Sequence, residues 1–278
     1  MTEEFAVIPA RIHVLLARDA PFGVVIRRGP SRQVCTLGWN LEDDTFSLGQ
    51  WFKGRIYEMR SDLSPDGQHL IYFAADFGDA LRSWTAISTA PFIKASGFWP
   101  KGDAWHGGGL WIDSRTYWIN DGYHSNHQQI RRPPGLKRST KFPYFKNYGG
   151  EDPGVYFLRL QRDGWRLFQT KDIGGQHYIT QFEKRLDSGW TLRKHFHATS
   201  QRQMGKGCYY DEHELENRKT GEIIDAAKWE WAEIERKRLV WAQNGQLWAA
   251  RLHNEGLFGQ KLLRDFNSME LEAIAAPY

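Results

Sequence analysis

The segment from Asp121 to Gly150 holds the densest set of residues able to bind an anionic partner. It contains His124 and His127, and it has six basic residues and no acidic residue between positions 131 and 148: Arg131, Arg132, Lys137, Arg138, Lys141 and Lys146. Aromatic residues lie among these cations, so the segment could grip phosphates and stack bases, or dock a protein. Its three prolines predict a long loop. A structural insertion, a protein contact and a nucleic-acid contact are the three interpretations, in that order.

A glycine-rich turn, Trp105–Gly109 (Trp-His-Gly-Gly-Gly), precedes a predicted strand. Glycines let a backbone approach a ligand closely, or let the chain enter an inner strand where side chains have little room. This turn makes His106 a candidate binding residue. We also predict that Trp99 and Trp105 lie in loops, where an indole face could stack on a ligand. The other tryptophans occur mostly in strand patterns, for which packing between sheets is the simpler interpretation.

Two further polar clusters could bind a cation. His195 and His197 are two residues apart, so both imidazoles point to one face of a strand. Zinc needs three or four ligands, and the sequence does not indicate which further histidine would join them, so we predict neither a metal nor a cofactor. Residues 211–216 form an acidic patch around His213, for which a solvated connector is the simpler interpretation.

Motifs of known catalytic machinery are missing from the sequence. We find no nucleophile elbow, paired-histidine metalloprotease helix, dinucleotide-binding fingerprint or kinase signature. Residues 135–140 lack the spacing of a phosphate-binding loop, and Cys208 with His213 is too sparse for a cysteine–histidine dyad. Carboxylates that could act on a glycan are present, without an indication of which converge: Asp62, Asp113, Glu151, Asp152 and Glu183. No catalytic residue is predicted, and we favour a protein that is not an enzyme.

Short strands must position all of these residues, because period-two alternation and brief apolar runs dominate the chain. Three strands fit into residues 12–37, and residues 46–57 are predicted as a fourth. Further strands are predicted at 155–158, 165–168, 177–182 and 190–192, and in a hairpin around Asn244-Gly245. No stretch has sustained helical periodicity, and the spacing of Trp229 and Trp231 favours a strand there.

The turn Ser64–Gly67 (Ser-Pro-Asp-Gly) is the most informative local motif. Proline presets the second turn position, and Gly67 takes the position that often needs a positive φ. An apolar strand follows from Leu70 to Ala74, and a later strand contains Trp84. Over about a dozen residues this pattern resembles the inner hairpin of a blade in WD40-like and TolB-like β-propellers. The resemblance implies an interaction scaffold.

We therefore predict one all-β domain over residues 1–278, a β-propeller with a basic, proline- and aromatic-containing insertion loop at 121–150. Trp118 follows Tyr72 by 46 residues, and Trp241 follows Trp118 by 123. A repeat of about 40–50 residues fits five or six blades, and we favour five. A six-bladed propeller, a β-sandwich and an irregular barrel are the alternatives.

Composition limits the class of protein. The 278 residues are 41% hydrophobic and include 13 tryptophans, which is enough apolar material for a large core. The net charge of +4 permits an anionic partner without requiring one. The first residues do not form a signal peptide, and no apolar run reaches the length of about 18 residues that spans a bilayer. We expect a cytoplasmic protein without membrane contact and with both cysteines reduced.

The sequence thus predicts a non-catalytic propeller that binds a protein partner through loops at one end. The candidate binding residues are Trp99, Trp105, His106, His124, His127, Arg131, Arg132, Lys137 and Arg138. One alternative is a glycan-acting hydrolase or lyase, or a sugar-binding propeller, with a site at the axis. Another is a nucleic-acid-associated factor that uses the basic residues between 131 and 146.

Overall fold

The computed structural model describes residues 8–30, 32–122, 130–142, 144, 146–201 and 205–278. Within these ranges the chain forms twenty β-strands and one α-helix. It divides into two compact units. Among the described residues, unit A comprises those from His13 to Arg162 and from Glu270 to Tyr278, and unit B comprises residues 8–12 and those from Asp163 to Met269.

Apart from Arg11 and Ile12 at the start of the first strand, three sheets belong to unit A, and their strands follow one another along the chain. The first sheet has the order β1 (Arg11–Leu16), β2 (Phe22–Arg28), β3 (Gln33–Asn40) and β4 (Thr45–Lys53). The second has the order β5 (Arg55–Leu63), β6 (His69–Asp76), β7 (Arg82–Thr89) and β8 (Ala95–Pro100). The third joins β9 (Gly109–Trp111), β10 (Thr116–Ile119) and β11 (Lys137–Arg138), and its last pair is parallel.

Unit B contains two antiparallel sheets with the same sequential order. The first joins β12 (Arg166–Asp172), β13 (His177–Arg185), β14 (Trp190–Thr199), β15 (Tyr209–Asn217) and β16 (Ile223–Ala226). The second joins β17 (Trp231–Glu235), β18 (Arg238–Gln243), β19 (Gln246–His253) and β20 (Gly256–Asp265). None of the five sheets closes on itself within the described ranges. The all-β prediction is confirmed, and the segment around Trp231 is a strand as predicted.

The only helix that the described ranges contain, α1 (Pro153–Arg162), corrects one prediction. The run 155–158 was predicted as a strand, but four apolar residues do not distinguish a strand from a buried helical turn. Pro153 stands at the first helical position, where its missing N–H costs nothing. The carbonyl of Asp152 accepts the N–H of Tyr156 at 2.8 Å and so closes the first turn. The helix packs mainly against β5, and each of its residues from Gly154 to Leu160 is buried.

A second correction concerns residues 46–57, which were predicted as one strand. The chain divides them at Gly54 into the end of β4 and the start of β5, which belong to different sheets. The N–H of Gly54 donates to the carbonyl of Arg32, and a Cβ at this position would lie 2.8 Å from the carbonyl oxygen of Ala75. A side chain therefore does not fit where the chain leaves one sheet for the next.

The Ser64–Gly67 turn joins β5 to β6, as its sequence predicted. The hydroxyl of Ser64 donates to the Asp66 carboxylate at 2.5 Å, and Gly67 adopts a φ of +74°. Apolar side chains on both sides of this hairpin contribute to one core cluster of unit A: Leu15, Val24, Ile26, Val34, Ile56, Leu63, Leu70, Tyr72, Ala74 and Ala86. Local turn chemistry and burial thus favour the same hairpin.

Candidate functional site

The turn before β9 has an unusual backbone. His106, Gly107 and Gly108 have φ values of +56°, +88° and +73°, so three consecutive residues are left-handed. A non-glycine residue rarely adopts this conformation, and such strain persists only where surrounding contacts impose it. A Cβ on Gly107 would overlap the ring of Phe73, and a Cβ on Gly108 would overlap the backbone of Arg60. The glycines are thus required by close packing.

His106 is held between the two ends of the 121–150 segment. Its N–H donates to the carbonyl of Gly150. A Cβ built on Gly122 or on Gly150 would lie 2.6 Å from the imidazole, so the ring fits only because both neighbours are glycines. The turn 105–109 and the ends of the 121–150 segment therefore form one surface of unit A. We call the turn, Asp121, Gly122 and residues 130–150 the loop surface.

Arg60 on β5 fixes this turn through hydrogen bonds to its backbone. Its guanidinium Nη1 donates to the carbonyls of Ala104 at 2.7 Å and His106 at 2.6 Å. Its Nε donates to the carboxylate of Asp152, next to α1. Sequence reasoning missed this residue. The sequence does not single it out, because Arg60 is one of four charged residues on β5, together with Arg55, Glu58 and Asp62.

Burial shifts the pKa values of His106, Glu151 and Asp152, which lie at or near this turn. Burial lowers the pKa of His106, and the nearby ammonium of Lys101 lowers it further. The imidazole is therefore uncharged at neutral pH and offers one donor and one acceptor nitrogen. Burial raises the pKa of Glu151 and of Asp152, and in both cases Arg60 opposes the rise.

Most of the basic residues of the loop surface face solvent. Arg131 and Arg132 are exposed, Lys137 is exposed on β11, and Arg138 pairs with Asp121. Arg131 also donates to the carbonyl of Ala95 at 3.3 Å. Among the described residues, four cations have no carboxylate within ion-pair distance: Arg132, Lys137, Lys141 and Lys146. This leaves an uncompensated positive patch.

Aromatic residues attach the segment to the rest of unit A. Trp118 on β10 meets Phe142 edge-on, with ring centroids 5.3 Å apart, and Tyr144 at 6.4 Å. Tyr148 packs on Phe157 of α1, and its hydroxyl donates to Gln161 at 3.0 Å. These contacts hold the described part of the segment in place, so only part of the aromatic surface of those residues is available to a partner.

The two candidate tryptophans have opposite environments. Trp105 is 61% exposed on the loop surface. Trp99 was predicted in a loop, but it lies on β8 with no exposed surface and packs edge-on against Tyr117 at 5.7 Å. That prediction was wrong, because Pro100 and Gly102 resemble loop residues while the strand is covered by the third sheet. His124 and His127 lie outside the described residues.

In unit B, His195 and His197 share a face of β14, as their spacing predicted. Nδ1 of His197 lies 2.9 Å from Nε2 of His177, and the Glu212 carboxylate is 3.4 Å from Nε2 of His197. His213 points to the other face, where its Nε2 lies 2.8 Å from the buried ammonium of Lys194. In the part of the chain that the structure describes, no three His, Cys, Asp or Glu side chains converge as a metal site would require.

Three of the carboxylates considered for glycan chemistry are committed to ion pairs. In unit A, Asp62 receives both Nη atoms of Arg162, at 2.6 and 3.0 Å, and Asp152 pairs with Arg60. In unit B, Glu183 receives Arg166 at 2.8 Å and Arg193 at 3.1 Å. Asp113 instead accepts backbone N–H groups in an exposed turn. These interactions hold the four carboxylates in fixed positions.

No helix in the described ranges is long and apolar enough to span a bilayer. Cys35 is buried and Cys208 exposed, and neither forms a disulfide.

The loop surface of unit A combines exposed side chains, positive charge and a strained backbone, and it is therefore the candidate functional site.

No model of a known protein family matches the chain, and no curated protein matches it. Among solved structures, the chain is similar to a variant of the AtxE2 isopeptidase with Astexin3-dC4 bound, at 12% identity and a TM-score of 0.42. That match covers 97% of this chain and 54% of the isopeptidase, so the chain spans about half the length of that protein. Another is the SapL1 lectin in complex with alpha methyl fucoside, at 11% identity and a TM-score of 0.27, covering 93% and 80% of the two chains. These similarities are too low to assign a family or a function.

Proposed function

We propose that the chain is a non-catalytic β-propeller that binds an acidic segment of a protein partner through the loop surface. One observation carries the proposal: the described residues of 131–150 hold six basic side chains and no acidic one, and four of the six have no ion-pair partner. Uncompensated charge at a surface attracts a partner of opposite sign and accelerates its association.

The propeller part of the proposal rests on the order of the strands. The five sheets begin at Arg11, Arg55, Gly109, Arg166 and Trp231, and each is built from strands that are consecutive in the chain. Sequential four-stranded sheets of this kind are the repeating unit of propellers. Five blades of the WD40-like or TolB-like kind would give this pattern, with a reduced third sheet and a five-stranded fourth.

A protein partner fits the loop surface better than a free strand of nucleic acid. Base stacking needs exposed aromatic faces between the cations. Of the described aromatic residues in the segment, Tyr144 and Tyr148 are half-buried against Trp118 and Phe157, and only Phe142 is exposed, at 37%. Among the described residues of the loop surface, Trp105 is the most exposed aromatic side chain, and an exposed indole with a basic rim is typical of a protein contact.

Fluorescence anisotropy tests the proposal with a labelled peptide rich in Glu and Tyr and with single-stranded DNA of equal charge. The first variant reverses three unpaired lysines, as K137E/K141E/K146E. The control, K171E/K219E/K228E, reverses three exposed lysines of unit B and has the same net charge.

We expect the first variant to weaken peptide binding by about tenfold or more, and the control by no more than about twofold. Equal loss in both variants would mean that only net charge attracts the peptide, and the proposal would be wrong. Tighter binding of DNA than of the peptide would replace the protein partner with a nucleic acid.

A further inference from the structure

Unit A contains an apolar cavity of about 210 Å³ whose lining includes no residue of the loop surface, although two lining residues, Ala95 and Phe98, contact Arg131 of that surface. Side chains from β4, β6, β7 and β8, and from the segments beside β7 and β8, line it: Phe52, Tyr72, Ala74, Leu81, Trp84, Ile93, Ala95 and Phe98. The cavity is partly open to solvent, so a molecule can enter it without displacing packed core residues.

Aromatic rings form three walls of the cavity. The ring of Phe52 meets the indole of Trp84 edge-on, with centroids 5.6 Å apart and an angle of 73°. Phe98 lies 6.1 Å from the same indole at an angle of 32°. All three rings are only half-buried, so each retains free apolar surface on the cavity. Leu81 is the most exposed lining residue and marks the mouth.

The phenol hydroxyl of the lining already has a partner. The hydroxyl of Tyr72 donates to the carbonyl of Ile93 at 2.5 Å. Burial raises the pKa of Tyr72, so the phenol stays uncharged over the physiological range. A ligand that buried a charge or a free hydroxyl here would lose its hydration without a compensating hydrogen bond.

We propose that this cavity binds a small, neutral aromatic molecule of one ring or two fused rings. An engineered apolar cavity of about 150 Å³ in another protein binds benzene, so the volume suits such a ligand. Walls of aromatic rings favour an aromatic occupant, because the edge of one ring is attracted to the face of another. The cavity borders the loop surface at Arg131 but shares no lining residue with it, so binding of indole and binding of the acidic peptide are measured separately.

The proposal is tested by titrating the full chain with indole and measuring the NMR chemical shifts of its isoleucine methyl groups. Ile93 lines the cavity, whereas Ile87 is buried in another core cluster and serves as an internal control. We expect a saturable shift of the Ile93 methyl signals and none of Ile87. Indole-3-acetate, which carries a charge, should bind about tenfold more weakly or not at all.

Three variants locate the ligand. A95L places a larger side chain at the cavity and should abolish binding without lowering the melting temperature. F52L keeps an apolar side chain but removes one ring, and should weaken binding by about fivefold. F46L is the matched control, because Phe46 lies on the same strand but stacks on Trp39 outside the cavity. It should change the affinity by no more than about twofold.

The absence of a saturable Ile93 shift up to the solubility limit of indole would overturn the proposal. So would unchanged affinity in both A95L and F52L, since the ligand would then bind elsewhere. Binding of indole-3-acetate as tightly as indole would overturn the assignment to a neutral ligand.

Discussion

Arg60 and Asp152 form a buried ion pair in which the guanidinium Nε lies 2.5 Å from the carboxylate Oδ1. The two residues are 92 positions apart, and their side chains are 3% and 6% exposed. The same guanidinium holds the carbonyls of Ala104 and His106. One side chain therefore joins a strand, the left-handed turn and the start of α1.

Replacing Arg60 should be costly because it leaves a carboxylate buried without its counter-charge. We expect Arg60→Ala to lower the free energy of unfolding by about 3–5 kcal/mol. Arg55 is a control on the same strand, where it is exposed and lies over the ring of Tyr57 at 4.3 Å. Arg55→Ala should cost about 0.5–1 kcal/mol. Urea denaturation of both variants measures the difference, and similar costs would contradict the role assigned to Arg60.

Two glycines with similar positive φ values allow the cost of backbone strain to be distinguished from the cost of steric overlap with a neighbouring residue. Gly102 has a φ of +88° and Gly108 a φ of +73°, but only at Gly108 would a Cβ meet the backbone of Arg60. Gly102→Ala should therefore cost about 1–2 kcal/mol, the strain of the left-handed region alone. Gly108→Ala should cost clearly more and displace the turn. Thermal unfolding compares the two, and equal losses would show that the close approach does not matter.

Trp99 and Trp105 should respond differently to truncation. Trp99→Ala removes a fully buried ring from unit A, and we expect a loss of about 3–5 kcal/mol. Trp105→Ala should change the free energy of unfolding by no more than about 0.5 kcal/mol, because the side chain is exposed. It should still weaken binding of the acidic peptide by about fivefold, as expected for a central aromatic contact. Unchanged peptide affinity would remove Trp105 from the proposed interface.

The stability of the protein should fall below about pH 6.5 because of His213. Burial lowers its pKa well below the usual value, and the ammonium of Lys194 lowers it further. Its Nδ1 donates to the carbonyl of Trp229 at 2.7 Å, so Nε2 accepts from Lys194. The unfolded chain therefore binds a proton that the folded chain does not, and the free energy of unfolding decreases as pH falls through this window.

The expected contribution of His213 is a slope of up to about 1.4 kcal/mol per pH unit between the folded pKa and about 6.5. His213→Asn keeps a donor for the carbonyl of Trp229 and removes the titrating group. Urea denaturation between pH 5 and 7, at roughly half-unit steps, measures both slopes. A slope in the variant as steep as in the original protein would show that other groups dominate.

Sequence reasoning located the loop surface but not the groups that hold it. The basic residues and the glycine-rich turn were visible, since charge and glycine spacing are local features. Arg60 and Asp152 were missed as a pair, because nothing local indicates that a strand residue meets a residue 92 positions later. The helix α1 was missed because the apolar run 155–158 fits a buried helix as well as a strand.

By itself, the sequence determined that most of the chain forms short strands, that Ser64–Gly67 is a turn, and that 131–150 carries six basic residues and no acidic one. These properties depend on residues close together in the chain. Only the tertiary structure decided that Trp99 is buried while Trp105 is exposed, and that His106 lies between Gly122 and Gly150. The physical reason is that burial and pairing depend on which sheets and segments meet in space, and local periodicity does not specify those contacts.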